Sequence, residues 1–207
     1  MLAEVAARDA PHGIRIIGID GPSGSGKSTL AARLARLSGA SVIETDDFVS
    51  WNDFAGWWPR FDREVLDRLM AGHAARYRVR DWANDEFGTA LNGYKTVPWA
   101  PLVIVEGVTC TRAEATTRLA YRIWVEAPAE LRLDRGVRRD GPSHRLLWEA
   151  WMREEAEFFT KDGTRHRADL VVEGAPSVAH DPEREVVLAA DGNGHDPLHA
   201  GPRSSNT

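Results

Sequence analysis

Short apolar runs alternate along the chain with stretches in which apolar residues recur at helical spacing. The runs rich in β-branched residues predict strands at 14–20, 41–45, 101–106, 121–125 and 169–173. Helical spacing predicts helices at 27–38, 61–72, 112–119, 128–139 and 143–161. Strands that alternate with helices are typical of a parallel sheet with crossover helices. We therefore expect an α/β fold.

The segment 73–100 interrupts this alternation. Tyr77–Arg80 and Tyr94–Val97 are predicted to pair as an antiparallel hairpin, with Trp82 to Gly93 between them. Ligands of open α/β sheets bind outside the carboxyl ends of the strands. We interpret the insertion as a flap that contacts a substrate at this edge.

The end of the chain differs in composition from the rest. No aromatic residue follows Gly174, and Arg184–Leu188 is a candidate short strand. Residues 191–207 consist mainly of Gly, Pro, Ser, His and Asn, which favours disorder. We predict one domain over residues 1–190 and a disordered tail over 191–207.

A glycine-rich pattern lies between the first predicted strand and the helix that follows it. Gly21 to Ser28 reads G-x-x-x-x-G-K-S. In such a loop, backbone N–H groups converge on phosphates and the helix N-terminus adds partial positive charge. Lys27 would reach the β- and γ-phosphates, and the Ser28 hydroxyl would ligate Mg²⁺. The pattern therefore predicts binding of ATP or GTP with Mg²⁺. The residues assigned to the nucleotide are Gly21, Ser23, Gly24, Ser25, Gly26, Lys27, Ser28 and Thr29.

Composition limits the classes of protein that this chain can represent. With 207 residues, of which 43% are hydrophobic, the chain can form one core with a small insertion. The net charge is −5 and the two signs are interspersed, so we expect no nucleic-acid partner. Cys110 is the only cysteine, which excludes an internal disulfide and suits a reducing compartment. Residues 1–13 lack the apolar core of a signal peptide and no apolar run reaches membrane-spanning length, so we expect a cytoplasmic protein without membrane contact. A homo-oligomer is compatible with this composition.

Acidic residues follow two of the predicted strands. Asp46 and Asp47 come directly after the second strand, and Glu106 ends the third. These carboxylates should face the same sheet edge as the glycine loop. A carboxylate at that edge could accept a proton from an attacking hydroxyl and help to hold Mg²⁺. The alternatives are a helix N-cap for the aspartates and an ordinary strand end for Glu106.

One predicted helix carries a cluster of arginines. Arg132, Arg135 and Arg139 lie at i, i+3 and i+7 on one face, with Arg138 beside them. Guanidinium groups above a bound nucleotide could stabilise charge on a transferring phosphoryl group. The alternative is a solvated helix face on which nearby aspartates are the partners.

These segments, in this order, resemble the uridine kinase and phosphoribulokinase group of small-molecule kinases, which includes the nicotinamide riboside kinases. The matching segments are Gly21–Thr29, Thr45–Phe48, Val103–Val108 and Arg132–Asp140, and the resemblance covers residues 14–173. It implies a three-layer αβα P-loop sandwich with a mostly parallel five-stranded sheet, a flap at about 73–100 and an arginine-bearing lid at about 128–145. It also implies ATP-dependent, Mg²⁺-dependent transfer of the γ-phosphate to a hydroxyl of a small molecule, in the first place a nucleoside.

The resemblance further implies roles for individual residues. The family's catalytic base corresponds to Asp46, and its Mg²⁺-assisting acid corresponds to Glu106. The catalytic set is Asp46, Lys27, Arg132, Arg135 and Arg139, with Arg138 as a further nucleotide contact. The metal set is Ser28, Asp46 and Glu106. Position 136, where the family often carries another arginine, is glycine in this chain.

The acceptor side of the resemblance departs from the family pattern. Uridine kinases have a Tyr-Asp-Phe segment followed by a base-reading histidine, and the counterpart Arg80–Asp85 contains neither the Tyr nor the His. The substrate-binding residues assigned are Asp46, Asp62, Arg80, Asp81 and Trp82. Trp51, Trp57, Trp58, Trp82 and Trp99 also crowd this region, and we expect at least one of them to contact the acceptor.

Two alternatives to a hydroxyl kinase remain compatible with the motifs. A nucleoside monophosphate kinase or a shikimate-type kinase also combines a phosphate loop with lid arginines. A nucleotide-binding regulator without catalysis would need only the loop. The seven histidines show no metal-ligand spacing.

Overall fold

A computed structural model describes residues 1–10 and 12–189. Its strands are β1 (Arg15–Asp20), β2 (Ser41–Glu44), β3 (Ala75–Arg80), β4 (Leu91–Val97), β5 (Leu102–Glu106), β6 (Tyr121–Glu126) and β7 (Leu170–Glu173). Five of them form a parallel sheet in the order β2-β5-β1-β6-β7. The strands β3 and β4 pair separately as the predicted antiparallel hairpin.

Helices connect these strands and cover the sheet. They are α1 (Leu2–Ala7), α2 (Lys27–Ser38), α3 (Trp58–Phe61), α4 (Asp67–Met70), α5 (Ala129–Asp140) and α6 (Arg145–Asp162). A π-helical segment, Asp62–Leu66, joins α3 and α4 into one continuous helix. Short 3₁₀ turns occur at Thr45–Asp47, Ala113–Ala115, Pro142–His144 and Thr164–Arg167. Within the described ranges, no helix combines the length and the apolar character needed to cross a membrane.

Both faces of the main sheet are buried. On β1, Ile16 belongs to one apolar cluster, which includes the α3–α4 helix and part of the hairpin. Ile17 and Ile19 belong to a second cluster on the opposite face, which includes Leu30 and Leu34 of α2. A parallel strand buried on both faces reads as a continuous apolar run, and this explains the sequence signal. The predicted three-layer α/β architecture is confirmed.

Three local predictions need correction. The helix predicted at 112–119 is wrong, because only the 3₁₀ turn Ala113–Ala115 forms there. The N–H groups of Thr109 and Thr111 bind the Asp20 carboxylate, which holds the start of this segment in a non-helical path. The candidate strand 184–188 makes only a single antiparallel bridge, between Leu188 and Val172. The helix predicted to begin at 61 begins at Trp58. The predicted tail, 191–207, lies outside the described residues.

Gly136 allows helices α5 and α6 to approach each other closely. A Cβ at this position would lie 2.5 Å from Cδ2 of Trp148, whose side chain is buried on α6. Real Cβ atoms do not tolerate such a distance, so a larger side chain at 136 would displace the indole. The glycine therefore fixes the lid helix α5 against α6.

We expect Gly136→Ala to lower the free energy of unfolding by about 1–3 kcal/mol, because overpacking outweighs the better helix propensity of alanine. Urea denaturation measures the difference. Gly93→Ala is the matched control, since a Cβ at Gly93 would meet no atom within 4 Å, and it should change stability by less than about 1 kcal/mol. Equal stability of Gly136→Ala and wild type would contradict the packing argument.

Candidate active site

A cavity of about 890 Å³ opens at the carboxyl edge of the parallel sheet. The glycine loop and the N-terminus of α2 form its middle part. One end is lined by segment 172–187 together with Leu30 and Arg33. The other end, which we call the tryptophan chamber, is lined by the side chains Val49, Trp51, Trp82, Val108, Trp148 and Trp151. The cavity can therefore hold two molecules, one on each side of the loop.

The glycine loop has the backbone conformation that a phosphate site requires. Gly24 and Gly26 have φ angles of 76° and 108°, in the left-handed region that favours glycine. The first turn of α2 begins at Lys27 without a side-chain cap, so its N–H groups have no intrahelical acceptor. These donors and the helix dipole favour an anion at this position.

Most of the predicted nucleotide residues line the cavity. They are Ser23, Gly24, Gly26, Lys27, Ser28 and Thr29. Gly21 and Ser25 do not line it: a Cβ at Gly21 would strike the Val125 carbonyl, and the Ser25 side chain is fully buried. These two residues pack against the protein interior on the side of the loop that faces away from the cavity.

The loop's basic and hydroxyl side chains face the same region. The Lys27 ammonium donates to the carbonyls of Gly21 (2.8 Å) and Pro22 (3.0 Å), which holds the side chain back along the loop. The Ser28 hydroxyl donates to Oε1 of Glu106 at 2.9 Å. The predicted juxtaposition of a loop hydroxyl and the β5 acid therefore exists in the structure.

The two aspartates after β2 have different environments. Asp46 is exposed to the cavity and interacts electrostatically with Lys27 and Arg139. The surrounding protein shields its carboxylate from bulk water and raises its pKa, an effect that Lys27 and Arg139 oppose. The 3₁₀ turn at 45–47 has no side-chain cap bond, so the N-cap alternative does not apply.

Asp47 instead ties the flap to the sheet edge. Its carboxylate accepts from the Tyr77 hydroxyl at 3.1 Å and from the Lys95 ammonium at 2.8 Å, and both donors lie on the hairpin. The Lys95 ammonium also reaches Glu44 at 3.2 Å. Asp47 thus has a structural partner set, whereas Asp46 faces the cavity.

The hydroxyl of Ser28 and the carboxylates of Glu106 and Asp46 form a hard oxygen donor set that fits Mg²⁺. In the described ranges, no group of three or more His, Cys, Asp or Glu side chains is arranged to hold a metal. Mg²⁺ does not need such a group, because it is usually held by one or two carboxylates together with phosphates and waters. Burial raises the pKa of Glu106 to about 7, with Asp46 adding to the rise and Lys27 opposing it. A divalent cation beside Glu106 would favour its charged form.

The lid arginines separate into two pairs. Arg135 and Arg139 line the cavity, and Arg135 also donates to the Gly24 carbonyl at 2.9 Å. Contrary to expectation, Arg132 lies behind the loop, where it donates to the Ser23 carbonyl at 3.3 Å and pairs with Glu155 at 3.4 Å.

Arg138 also lies away from the cavity. Its side chain is 79% exposed and pairs with Asp134 on the outer face of α5. The solvated-face alternative therefore describes Arg138, whereas Arg135 and Arg139 line the cavity.

Of the five predicted substrate-binding residues, two line the cavity, namely Asp46 and Trp82. Arg80 is buried, and its guanidinium donates to the carbonyls of Val49, Asp85 and Ala90. These hydrogen bonds stabilise the flap. Asp81 accepts from the Asn84 amide, and Asp62 faces Arg118 at 3.6 Å. The structure thus gives Arg80, Asp81 and Asp62 partners other than a substrate.

The tryptophan chamber combines residues that are remote in the sequence. Trp51 is its central ring, with centroids at 6.4, 6.0 and 5.4 Å from Trp82, Trp148 and Trp151. Of the five tryptophans expected near the acceptor, Trp51 and Trp82 line the cavity, Trp57 and Trp58 pack in the core, and Trp99 is exposed and does not line the cavity. Trp148 and Trp151 were missed by sequence reasoning, although their i, i+3 spacing on α6 was a usable signal.

Glu155 connects the chamber to the glycine loop. Its side chain is fully buried on α6, and Oε1 accepts from the Ser23 N–H at 2.7 Å and from the Trp151 indole at 2.8 Å. Oε2 faces Arg132. Sequence reasoning gave no role to this residue, because a glutamate in a helix ordinarily faces solvent.

Asp20 holds the other side of the loop. This buried carboxylate at the end of β1 accepts from the backbone N–H groups of Gly21, Thr109 and Thr111. Burial raises its pKa to about 6, and the N–H groups of Thr111 and Gly21 oppose that rise. Asp20 therefore fixes the segment after β5 against the start of the loop.

Residues 17–160 match the family model described as an AAA domain, and this range contains the glycine loop, both cavity acids and the lid helix. The chain belongs to the AAA domain family. As an AAA domain, it has a P-loop nucleotide-binding core, in agreement with the loop geometry.

Individual relatives of this AAA domain are kinases by name. The uridine kinase of Borrelia duttonii (strain Ly) is 24% identical over 198 residues, covering 86% of this chain and 93% of that protein. Among solved structures, a possible uridine kinase from Bacillus stearothermophilus has a TM-score of 0.60 at 21% identity, covering 82% of this chain and 94% of that one. A candidate fructose transport system kinase from Silicibacter sp. TM1040 has a TM-score of 0.64 at 21% identity, covering 82% and 95%. These structures share the P-loop kinase fold, and the resemblance noted from the motifs is confirmed.

We expect removal of Glu155 to destabilise the AAA domain, because it would leave Arg132 partly buried without its anionic partner. Breaking such a pair costs about 3–5 kcal/mol. Glu155→Ala should lower the free energy of unfolding by that amount in urea denaturation. Its exposed neighbour provides the control, since Glu154→Ala should change stability by less than about 0.5 kcal/mol. Equal effects of the two substitutions would refute the assignment.

We expect the affinity of the ADP-bound domain for Mg²⁺ to rise with pH through about 7, since a ligating carboxylate must be deprotonated and the pKa of Glu106 is raised to about 7. Calorimetric titration with Mg²⁺ at pH 6 and pH 8 should give about a tenfold difference beyond that of Glu106→Gln, which controls for titration of the nucleotide. The same pH dependence in wild type and Glu106→Gln would exclude Glu106 as a ligand of the metal.

Proposed function

We propose that the protein is an ATP-dependent kinase that transfers the γ-phosphate of ATP to a hydroxyl group of a small, unphosphorylated molecule, with a nucleoside as the first candidate. The observation that carries the proposal is the position of Asp46. Its carboxylate faces the cavity between the glycine loop and the tryptophan chamber, in electrostatic contact with Lys27 and Arg139. The kinase names of the relatives support the same class of reaction.

In this proposal the nucleotide lies on the glycine loop with its base towards segment 172–187. Lys27 and the first N–H groups of α2 bind its β- and γ-phosphates. Ser28 and Glu106, with Asp46, would hold Mg²⁺, which supplies neutralisation of phosphate charge when bound. Arg135 and Arg139 add positive charge from the lid side of the cavity.

The acceptor would occupy the tryptophan chamber with its hydroxyl directed at Asp46. Asp46 would orient this hydroxyl for in-line attack and accept its proton as the new oxygen–phosphorus bond forms. The indole rings would exclude water, which otherwise competes as the acceptor.

The charges of the chamber favour an acceptor without a phosphate group. Among the described residues, the lysines and arginines that line the cavity are Lys27, Arg33, Arg135 and Arg139. Lys27 and Arg135 contact the loop, and Arg33 donates to the Glu185 carbonyl at the opposite end. Arg139 is paired with Asp140 at 2.8 Å. A nucleoside monophosphate kinase would need a further cation for the acceptor phosphate, so this alternative is disfavoured.

The first experiment is a measurement of ADP release from Mg²⁺-ATP with a panel of acceptors. The panel comprises uridine, cytidine, nicotinamide riboside, pantothenate and ribulose 5-phosphate. We expect release with an unphosphorylated acceptor and none above background with ribulose 5-phosphate. Nucleotide binding without release for any hydroxyl compound would favour a regulator over a kinase.

We expect Asp46→Asn to reduce kcat by about 10²–10⁴ while the affinity for ATP stays close to wild type, because the proton acceptor is lost and the loop is intact. Asp47→Asn is the matched control. It should raise the KM of the acceptor through a loosened flap and retain most of kcat. Steady-state kinetics with nucleotide-binding calorimetry separates the two, and unchanged kcat in Asp46→Asn would exclude Asp46 as the base.

A further inference from the structure

Two polar side chains meet across the outer end of the tryptophan chamber. Glu86 comes from the flap loop between β3 and β4, and His144 comes from the turn between α5 and α6. Their Oε2 and Nε2 atoms are 3.1 Å apart, and both residues line the cavity. The Trp51 ring is 6.2 Å from the His144 ring, and its backbone N–H donates to the Glu86 carbonyl. A ring surface and a polar pair therefore lie side by side.

The other indole N–H groups of the chamber already have partners in the protein. Trp82 donates to the Asp46 carbonyl, Trp148 donates to Asp140, and Trp151 donates to Ser23 and Glu155. These three rings can offer apolar surface to a ligand but no free donor. Polar recognition at this end of the chamber is therefore left to the Glu86–His144 pair and the indole N–H of Trp51.

We propose that Glu86, held in place by His144, reads the hydrogen-bonding edge of a planar ring on the acceptor, while Trp51 stacks against the ring. This inference rests on the proposed kinase function, since it concerns the acceptor's far end when its hydroxyl is at Asp46. The preferred ring carries an exocyclic amine at the position that faces Glu86.

The preference follows from the chemistry of the pair. Oε2 of Glu86 faces His144, and Oε1 accepts no hydrogen bond from the described residues, so it is available to a ligand. A carboxylate oxygen is an acceptor only and repels a ring carbonyl at the same position. With Nε2 protonated, His144 donates to Glu86 and its Nδ1 can accept from the Ser143 hydroxyl at 3.3 Å, which fixes the orientation of the pair.

Cytidine and uridine test this reading, because at ring position 4, the position assigned to Glu86, cytosine has an amine and uracil a carbonyl. The neighbouring ring nitrogen also differs, as an acceptor in cytosine and an N–H in uracil. D-ribose serves as a probe without the ring. We expect wild-type kcat/KM to favour cytidine over uridine by at least about tenfold, as for a site built around one hydrogen bond. Glu86→Gln should lower this ratio about tenfold, because the amide can also donate to the uracil carbonyl, and leave the KM for ATP unchanged.

Matched controls lie at the opposite end of the cavity, where Glu185 and His180 also line the wall. Glu185→Gln and His180→Gln should leave the cytidine-to-uridine ratio at its wild-type value. His144→Phe, which keeps a ring but removes both nitrogens, should lower the ratio in the same direction as Glu86→Gln. D-ribose turnover should be equal in wild type and Glu86→Gln. An equal preference for both nucleosides in wild type, or a ratio unchanged by Glu86→Gln, would overturn the proposal.

A binding measurement separates this proposal from the kinase proposal. If wild type releases no ADP with any acceptor, the proposed function fails, and tryptophan fluorescence titrated with cytidine and uridine then tests the ring site alone. Quenching by cytidine that weakens about tenfold in Glu86→Gln supports ring recognition. No quenching in wild type, or quenching that is equal for both nucleosides, refutes it.

Discussion

The glycine loop cannot satisfy its own backbone while it keeps its N–H groups directed at a phosphate, and much of the structure follows from this constraint. Asp20 and Glu155 accept from N–H groups at the start of the loop, on opposite sides. Lys27, Arg132 and Arg135 donate to its carbonyls. Strand β1, the lid helix and α6 each supply one or more of these partners, so the loop is held by elements that are far apart in the sequence.

This arrangement joins the two ends of the cavity. Glu155 binds the loop with the same oxygen that binds Trp151, and Arg135 touches both the loop and the Gly174 carbonyl near the far end. Each end of the cavity is therefore connected to the loop through a single side chain, Glu155 at one end and Arg135 at the other. The proposed nucleotide and acceptor would therefore bind on either side of a loop that is held by residues from both of their sites.

The sequence predicted the parts of the site that depend on local pattern. The loop, the acids after β2 and β5, and two lid arginines were found, because strand ends and helix faces have fixed periods. Strand position alone did not separate Asp46 from Asp47, and the family resemblance was needed to choose Asp46; the physical distinction depends on the hairpin donors Tyr77 and Lys95, which bind Asp47. Glu86 and His144 were invisible for the same reason, because two loops meet there only after the chain has folded. Arg80 was misassigned because its charge suggested a ligand, whereas three backbone carbonyls, two of them in the flap, bind it.

The contact between Gly136 and Trp148 links two features that would otherwise seem independent. The resemblance places another arginine at position 136 in related chains, and here that space is filled by the indole that forms one wall of the chamber. An arginine at 136 and a tryptophan at 148 therefore exclude each other sterically. Homologues should vary at these two positions together, so that a chain has either the additional lid charge or the aromatic wall.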